Sequence, residues 1–238
     1  MHRKFRMGMV GGGIGAFIGP VHRVAAQLDN KIELVAGAFS SSPTSSKLSG
    51  QQLMLPDDRV YGSYRDLIEH ETKLPEGNRI DFITIVTPNS THYPIAMDAL
   101  EAGFHVICDK PMTMNLKEAR DLQQKVITTG KLFCLTHNYT GYPMVKEAKH
   151  IVETGEIGEV RKVIVEYPQG WLSTPVEHTD LKQAIWRTDP QMVGSSCCMG
   201  DLGTHAQNLS EYITDLRITE VCADLTTFVT GRPLDDDG

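Results

Sequence analysis

Three short stretches carry residues that could do chemistry. In Asp109-Lys110-Pro111 a lysine stands at the end of an apolar run, and the proline behind it biases its backbone away from the helical region. A lysine drawn into a cleft loses part of its affinity for the proton and can serve as acid or base; the plainer reading is a solvated lysine at a strand end. Asp201 and His205 stand four apart, a spacing that puts both on one face of a helix. Oxidising an alcohol removes the hydroxyl proton as a hydride departs, and an imidazole near its unperturbed pKa of ~6.5 suits that task. Asp201 would orient the ring or bind another hydroxyl. The plainer reading makes Asp201 a helix cap and His205 an ordinary interfacial side chain. The third stretch is Gly11-x-Gly13-x-x-Ala16, which lies between a short apolar run and a helical pattern through Ile18, Val21, Val24, Ala25 and Leu28. Strand, glycine turn and helix together are the context in which this spacing marks dinucleotide binding. Gly11 permits the tight turn, Gly13 lets backbone N–H groups approach a pyrophosphate, and Ala16 keeps the helix near the sheet. The helix N-terminus adds unpaired N–H groups and a positive dipole end.

The elements that must position these residues alternate. Strands are expected at 5–10, 32–39, 80–86, 104–108 and 132–135, with helices after the glycine turn, near 64–68, after His92 and from the Asn115 N-cap to Gly130. Ile80 to Val86 is an unbroken apolar run of the kind found in strands covered on both faces. It ends at Thr87-Pro88-Asn89, at the carboxyl end of the strand, where open α/β sheets place ligands. The alternation predicts an α/β class with a doubly wound parallel sheet, a Rossmann domain over residues 1–136. Ser41 to Gly50 reads as a loop or weak helix start. Behind the second strand, where an acidic residue usually holds the ribose of NAD, stands Ser40-Ser41-Ser42. NAD and NADP both remain open.

Residues 137–238 read as an incomplete α+β domain with a largely antiparallel sheet. It would have a helix near 144–153, strands at 160–167 and 220–229, a small-residue loop around Cys197-Cys198, a helix near 202–213 and hairpin chemistry in the closing Asp-Gly. A net charge of −7 with no basic run argues against nucleic-acid and anionic-membrane partners. No signal-peptide pattern or apolar span is visible. The five cysteines suit neither a disulfide framework nor a metal site, so a reduced, cytoplasmic protein without metal is expected.

Taken together and in order, Gly11-x-Gly13, Thr87-Pro88-Asn89-x-x-His92, Asp109-Lys110-Pro111 and Gly200-Asp201-Leu202-Gly203-Thr204-His205 resemble the Gfo/Idh/MocA family of NAD(P)-dependent oxidoreductases. Members of that family act on sugars and polyols, and the likeness runs over essentially the whole chain. The resemblance implies hydride transfer between NAD or NADP and a secondary hydroxyl of a sugar or cyclic polyol. Lys110, Asp201 and His205 would be catalytic, with His205 the proton acceptor. Gly11, Gly13, Ile14, Gly15, Ser40, Pro88, Asn89, His92, Asp109 and Lys110 would hold the cofactor. Trp186 and Arg187 would lie toward the substrate, and the chain would form a homo-dimer or tetramer. A dinucleotide-binding relative without turnover, or an amino-acid or imine reductase, are the competing readings. The sequence departs from the family's pattern at Asp109, which replaces a glutamate, and in length, since family members run substantially further and complete the second sheet.

Overall fold

Strand β1 (Phe5–Gly11) enters the glycine turn and leads to helix α1 (Ile18–Gln27), in a computed structural model that describes residues 3–238. There follow β2 (Ile32–Ala38), α2 (Pro43–Gln52), α3 (Tyr64–Lys73), β3 (Phe82–Val86), α4 (His92–Glu101), β4 (His105–Asp109), α5 (Leu116–Thr129) and β5 (Phe133–Thr136). The strand order is β2-β1-β3-β4-β5, and the pairs β1/β2, β1/β3 and β3/β4 are parallel. Chain direction and order make this the doubly wound Rossmann arrangement.

The strand residues explain how the sheet is covered. Successive side chains point to opposite faces. Ile83 and Ile85 of β3 accordingly join Ile95, Leu100, Phe104 and Leu122 in one buried cluster. Phe82 and Val86 join Met7, Met9 and Phe39 in another. Each fully buried side chain of this kind contributes about 1.5–3 kcal/mol. One buried carboxylate sits among them. Glu71 is 0% exposed and accepts from both arms of Arg59, from the Tyr61 hydroxyl and from the Ile80 N–H, at 2.8–3.0 Å.

Of the two readings of 41–50, a loop or a weak helix start, the helix holds: residues 43–52 form α2, with Ser42 as N-cap accepting from Ser45 N–H and Pro43 opening the first turn. The signal was present, since Pro at the first helical position needs no N–H partner, but the polar run after it hides the period.

The chain divides into two compact units, the first ending at Leu135 and the second running Thr136–Gly238. In the second, α6 (Pro143–Glu153) packs against α9 (Thr204–Thr214), and the Lys149 amine donates to the Tyr212 carbonyl at 3.0 Å. Between them come two short helices, α7 (Lys182–Arg187) and α8 (Pro190–Val193). The strands expected at 160–167 and 220–229 form no ladder; the antiparallel pairing among the described residues here is one bridge, Thr226 to Asp237. A strand exists only against a partner. Here Val163 and Ile164 stand 43% and 69% exposed with no backbone paired beside them in a ladder. The closing aspartates also serve differently from a hairpin turn. Asp235 accepts from the Ser196 hydroxyl and the N–H groups of Cys197 and Met199, and Asp236 from those of Phe228 and Val229.

Candidate active site

The glycine turn is built so that side chains cannot enter it. Gly11 has φ +82°, a conformation disfavoured for every other residue. A Cβ on Gly13 would lie 2.6 Å from Ser49 Oγ and 2.7 Å from the Phe39 carbonyl oxygen. α1 begins at Ile18, where the helical spacing starts, and approaches the turn closely at Gly19, whose added Cβ would stand 2.4 Å from Gly12 Cα. Arg23 braces the turn from α1, donating to the Gly12 carbonyl at 2.7 Å. Ile14 and Gly15 lie exposed at its crest, and the Ile14 N–H donates to Ser49 Oγ at 3.1 Å. Ser40 follows β2, and its hydroxyl accepts from Ser42 N–H at 3.2 Å. A turn that any side chain would fill, at the carboxyl edge of a parallel sheet, fits a dinucleotide's pyrophosphate.

On the same edge, β3 and β4 end in the two polar turns. Asn89 is buried behind Pro88, and Asp109 and Lys110 are half-buried. His22 of α1 reaches within 3.7 Å of Asp109. His92, expected on the cofactor side, lies buried. It is 1% exposed, with Nδ1 at 2.7 Å from the Pro111 carbonyl and Nε2 at 2.8 Å from the Thr87 carbonyl. Both ring nitrogens are thereby occupied by the protein's own backbone. Burial draws its pKa below the ordinary histidine value, against the pull of the two carbonyls and Asp109.

The residues expected toward the substrate lie in the second unit. Asp201 lies in a π-helical turn, Met199–Gly203, that runs directly into α9, and Gly203 rather than Asp201 occupies the N-cap position. The Asp201 carboxylate faces Arg187 Nε at 3.4 Å. The Arg187 guanidinium lies 4.1 Å from the Trp186 ring centroid and 5.7 Å from that of Trp171. His205, in the first turn of α9, is 8% exposed and framed by aromatic rings: Tyr139 at 4.8 Å, His137 at 5.5 Å and Tyr167 at 6.5 Å between centroids. The Tyr139 and Tyr167 hydroxyls bond to each other, and burial together with that bond pushes the Tyr139 pKa up to about 12. A cavity of about 160 Å³ beside His205 is lined by Tyr139, Val165, Glu166, Tyr167, Ala206 and Leu209.

The tyrosine frame and the role of Asp235 were not read from the sequence. Asp235 also takes the Cys198 N–H on its carbonyl at 3.2 Å, so the small-residue loop leading to Asp201 is fastened rather than floppy. The run of three aspartates before the final glycine was the available signal. Among the described residues no group of three or more His, Cys, Asp or Glu is gathered as metal ligands, and no helix is long and apolar enough to cross a membrane.

Comparison with known proteins gives this arrangement a lineage. Residues 5–137 match the Gfo/Idh/MocA oxidoreductase family, NAD-binding Rossmann fold, and residues 145–238 match the Gfo/Idh/MocA C-terminal domain. The chain is 35% identical over 237 residues to the uncharacterized oxidoreductase YfiI of Bacillus subtilis, covering 98% of this chain and 60% of that one. It is 27% identical over 236 residues to levoglucosan dehydrogenase of Pseudarthrobacter phenanthrenivorans, covering 99% of this chain and 57% of that one. An inositol dehydrogenase homolog complexed with NAD+ from Azotobacter vinelandii superposes with a TM-score of 0.95 at 38% identity, over 99% of this chain and 60% of that one. The chain thus spans about 60% of the length of these relatives. On the match of its sheet, its glycine turn and both of its units, the chain belongs to the Gfo/Idh/MocA family of oxidoreductases.

Proposed function

We propose that this protein transfers a hydride between NAD and a secondary hydroxyl of a sugar or cyclic polyol, with NADP as the alternative cofactor. The observation that carries the reading is the buried His205 imidazole beside a cavity, in a chain that also holds a dinucleotide-fitting turn. The relatives' substrates support it, since a levoglucosan dehydrogenase and two D-xylose 1-dehydrogenases are among them, and the inositol dehydrogenase homolog is also known complexed with NADH and myo-inositol.

When bound, the nicotinamide supplies the hydride acceptor. The chain's own residues do the rest. N–H groups of the Gly11–Gly15 turn and the residues Pro88 and Asn89 hold the dinucleotide, and Lys110 donates to the reacting hydroxyl. His205 takes the hydroxyl proton. Asp201, its charge balanced by Arg187, accepts a second hydroxyl of the ring, and Trp186 gives the sugar an apolar face. Homo-oligomer formation belongs to the same proposal and is read by light scattering.

The test is nicotinamide absorbance with NAD+ and NADP+ separately, offered myo-inositol, levoglucosan, D-xylose and D-glucose. His205→Ala should lose about 10²–10⁴-fold in turnover, the usual worth of a positioned acid–base group, with NAD+ binding retained. Unchanged turnover would overturn the assignment. Thermal stabilisation by NAD+ without turnover on any polyol would replace the reading with a non-catalytic dinucleotide-binding relative.

A further inference from the structure

We propose that His92 is a positioning residue for Lys110, strapping the turn after β4 to the turn after β3. The strands themselves stop short of both turns. β3 ends at Val86, paired with Gly11 of β1, and β4 ends at Asp109, so Thr87 and Lys110 are the first residues beyond their strands. Past that point the ladder no longer holds the lysine in place. The His92 ring bridges the gap: Nδ1 meets the carbonyl of Pro111, the residue next to Lys110, and Nε2 meets the carbonyl of Thr87. Thr91 fastens the same turn, its hydroxyl 2.9 Å from the Pro88 carbonyl, to which it donates, and 2.8 Å from the Thr87 hydroxyl.

Both His92 partners are acceptors, and only the doubly protonated ring can donate to both; a neutral ring donates to one. Burial, with Lys110, outweighs the two carbonyls and Asp109 and lowers the ring's pKa, so the neutral ring donates to one carbonyl and lies in contact with the other. With both nitrogens engaged and the ring 1% exposed, His92 acts through its neighbours rather than on a ligand. The inference rests on the reading of Lys110 as the proton-handling lysine, but its test does not need turnover.

The lysines are reductively methylated with 13C-formaldehyde and followed by NMR, the Lys110 signal being assigned by its loss in Lys110→Arg. In the unsubstituted protein this signal should stand apart from those of solvated lysines in chemical shift. His92→Phe keeps a ring without a donor and should move Lys110 to the solvated position. His92→Gln restores an N–H donor group at one position and should give an intermediate signal. Leu67→Ala, a core truncation in α3, serves as the control for general destabilisation and should leave the signal in place. A Lys110 signal unchanged in His92→Phe overturns the proposal, as does an equal displacement in Leu67→Ala. If His92→Phe fails to fold, an unchanged signal in His92→Gln overturns it. Retained turnover in Lys110→Met would instead overturn the catalytic role of the lysine and leave the strap standing.

Discussion

The two units are held together by different physics. The first is a sheet with apolar clusters on both faces, its strands paired and its principal buried carboxylate, Glu71, surrounded by four donor groups. The second has one small buried cluster, Val193, Cys197 and Leu234, and relies on charge and hydrogen bonds. Its centre is Arg232, whose side chain is 0% exposed and donates to both oxygens of Glu177, to Asp236 and to the carbonyls of Leu172 and Thr174. Dispersion and hydrophobic burial are indifferent to pH, whereas a buried ion lattice stands or falls with its protons. The dinucleotide-binding half is thus built for constancy, and the half bearing Asp201 and His205 is tied to the ionisation of a few carboxylates.

Both tryptophans, Trp171 and Trp186, lie in the second unit, so their fluorescence reads that unit alone. The largest expected effect is on the first unit: Phe104→Ala, at a site 1% exposed, should cost about 3–5 kcal/mol. Urea unfolding followed by circular dichroism measures it, and the tryptophan transition should stay where it was. A matched shift in both signals would break the contrast by showing that the units unfold as one.

The acid response of the second unit comes next. The Arg232 guanidinium holds the Glu177 carboxyl below the ordinary range. At Asp236 burial works the other way, but the N–H groups of Phe228 and Val229 and the Arg232 charge outweigh it, and its pKa is also lowered. A carboxyl depressed in the folded state contributes stability above its unfolded pKa, and that contribution is lost as pH falls through the folded value. Tryptophan fluorescence should therefore report a transition as pH falls below the ordinary carboxylate range, about pH 4. Arg232→Met should move it to higher pH and cost about 3 kcal/mol at neutrality, because two partly buried carboxylates lose their partner. An acid transition unmoved by that substitution would remove the charge lattice from the account.

The smallest effect sharpens the comparison from the other side. Asn115 caps α5 by accepting the Glu118 N–H at 3.0 Å, and Asn115→Ala should cost about 1 kcal/mol. The loss should be seen by circular dichroism and not by tryptophan fluorescence.

The first unit was legible because its signals are local. The β-branched run at Ile83–Val86, the Asn115 cap and the left-handed Gly130 that closes α5 each act within a few residues. Even α2, where a loop and a weak helix start were both open, carried its own start signal at Ser42-Pro43. The second unit was less so. Val160 to Tyr167 has the composition of a strand but not the partner, and composition does not provide one. Asp201 and His205 could be picked out by spacing, yet the spacing implied a helix cap or a shared helical face, and the chain made a π-helical turn.

By itself the sequence determined the alternation of strands and helices, the glycine turn and the chemical types available at Lys110, Asp201 and His205. These follow from backbone sterics and short-range periodicity, which need only neighbours in the chain. Tertiary structure alone decided that Gly19 meets Gly12, that both nitrogens of His92 are spent on backbone, and that Asp235 fastens the loop before Asp201 from more than thirty positions away. The reason is physical: a hydrogen bond or a van der Waals contact is set by distance in space, and residues far apart in the chain leave no mark on each other until the fold brings them together.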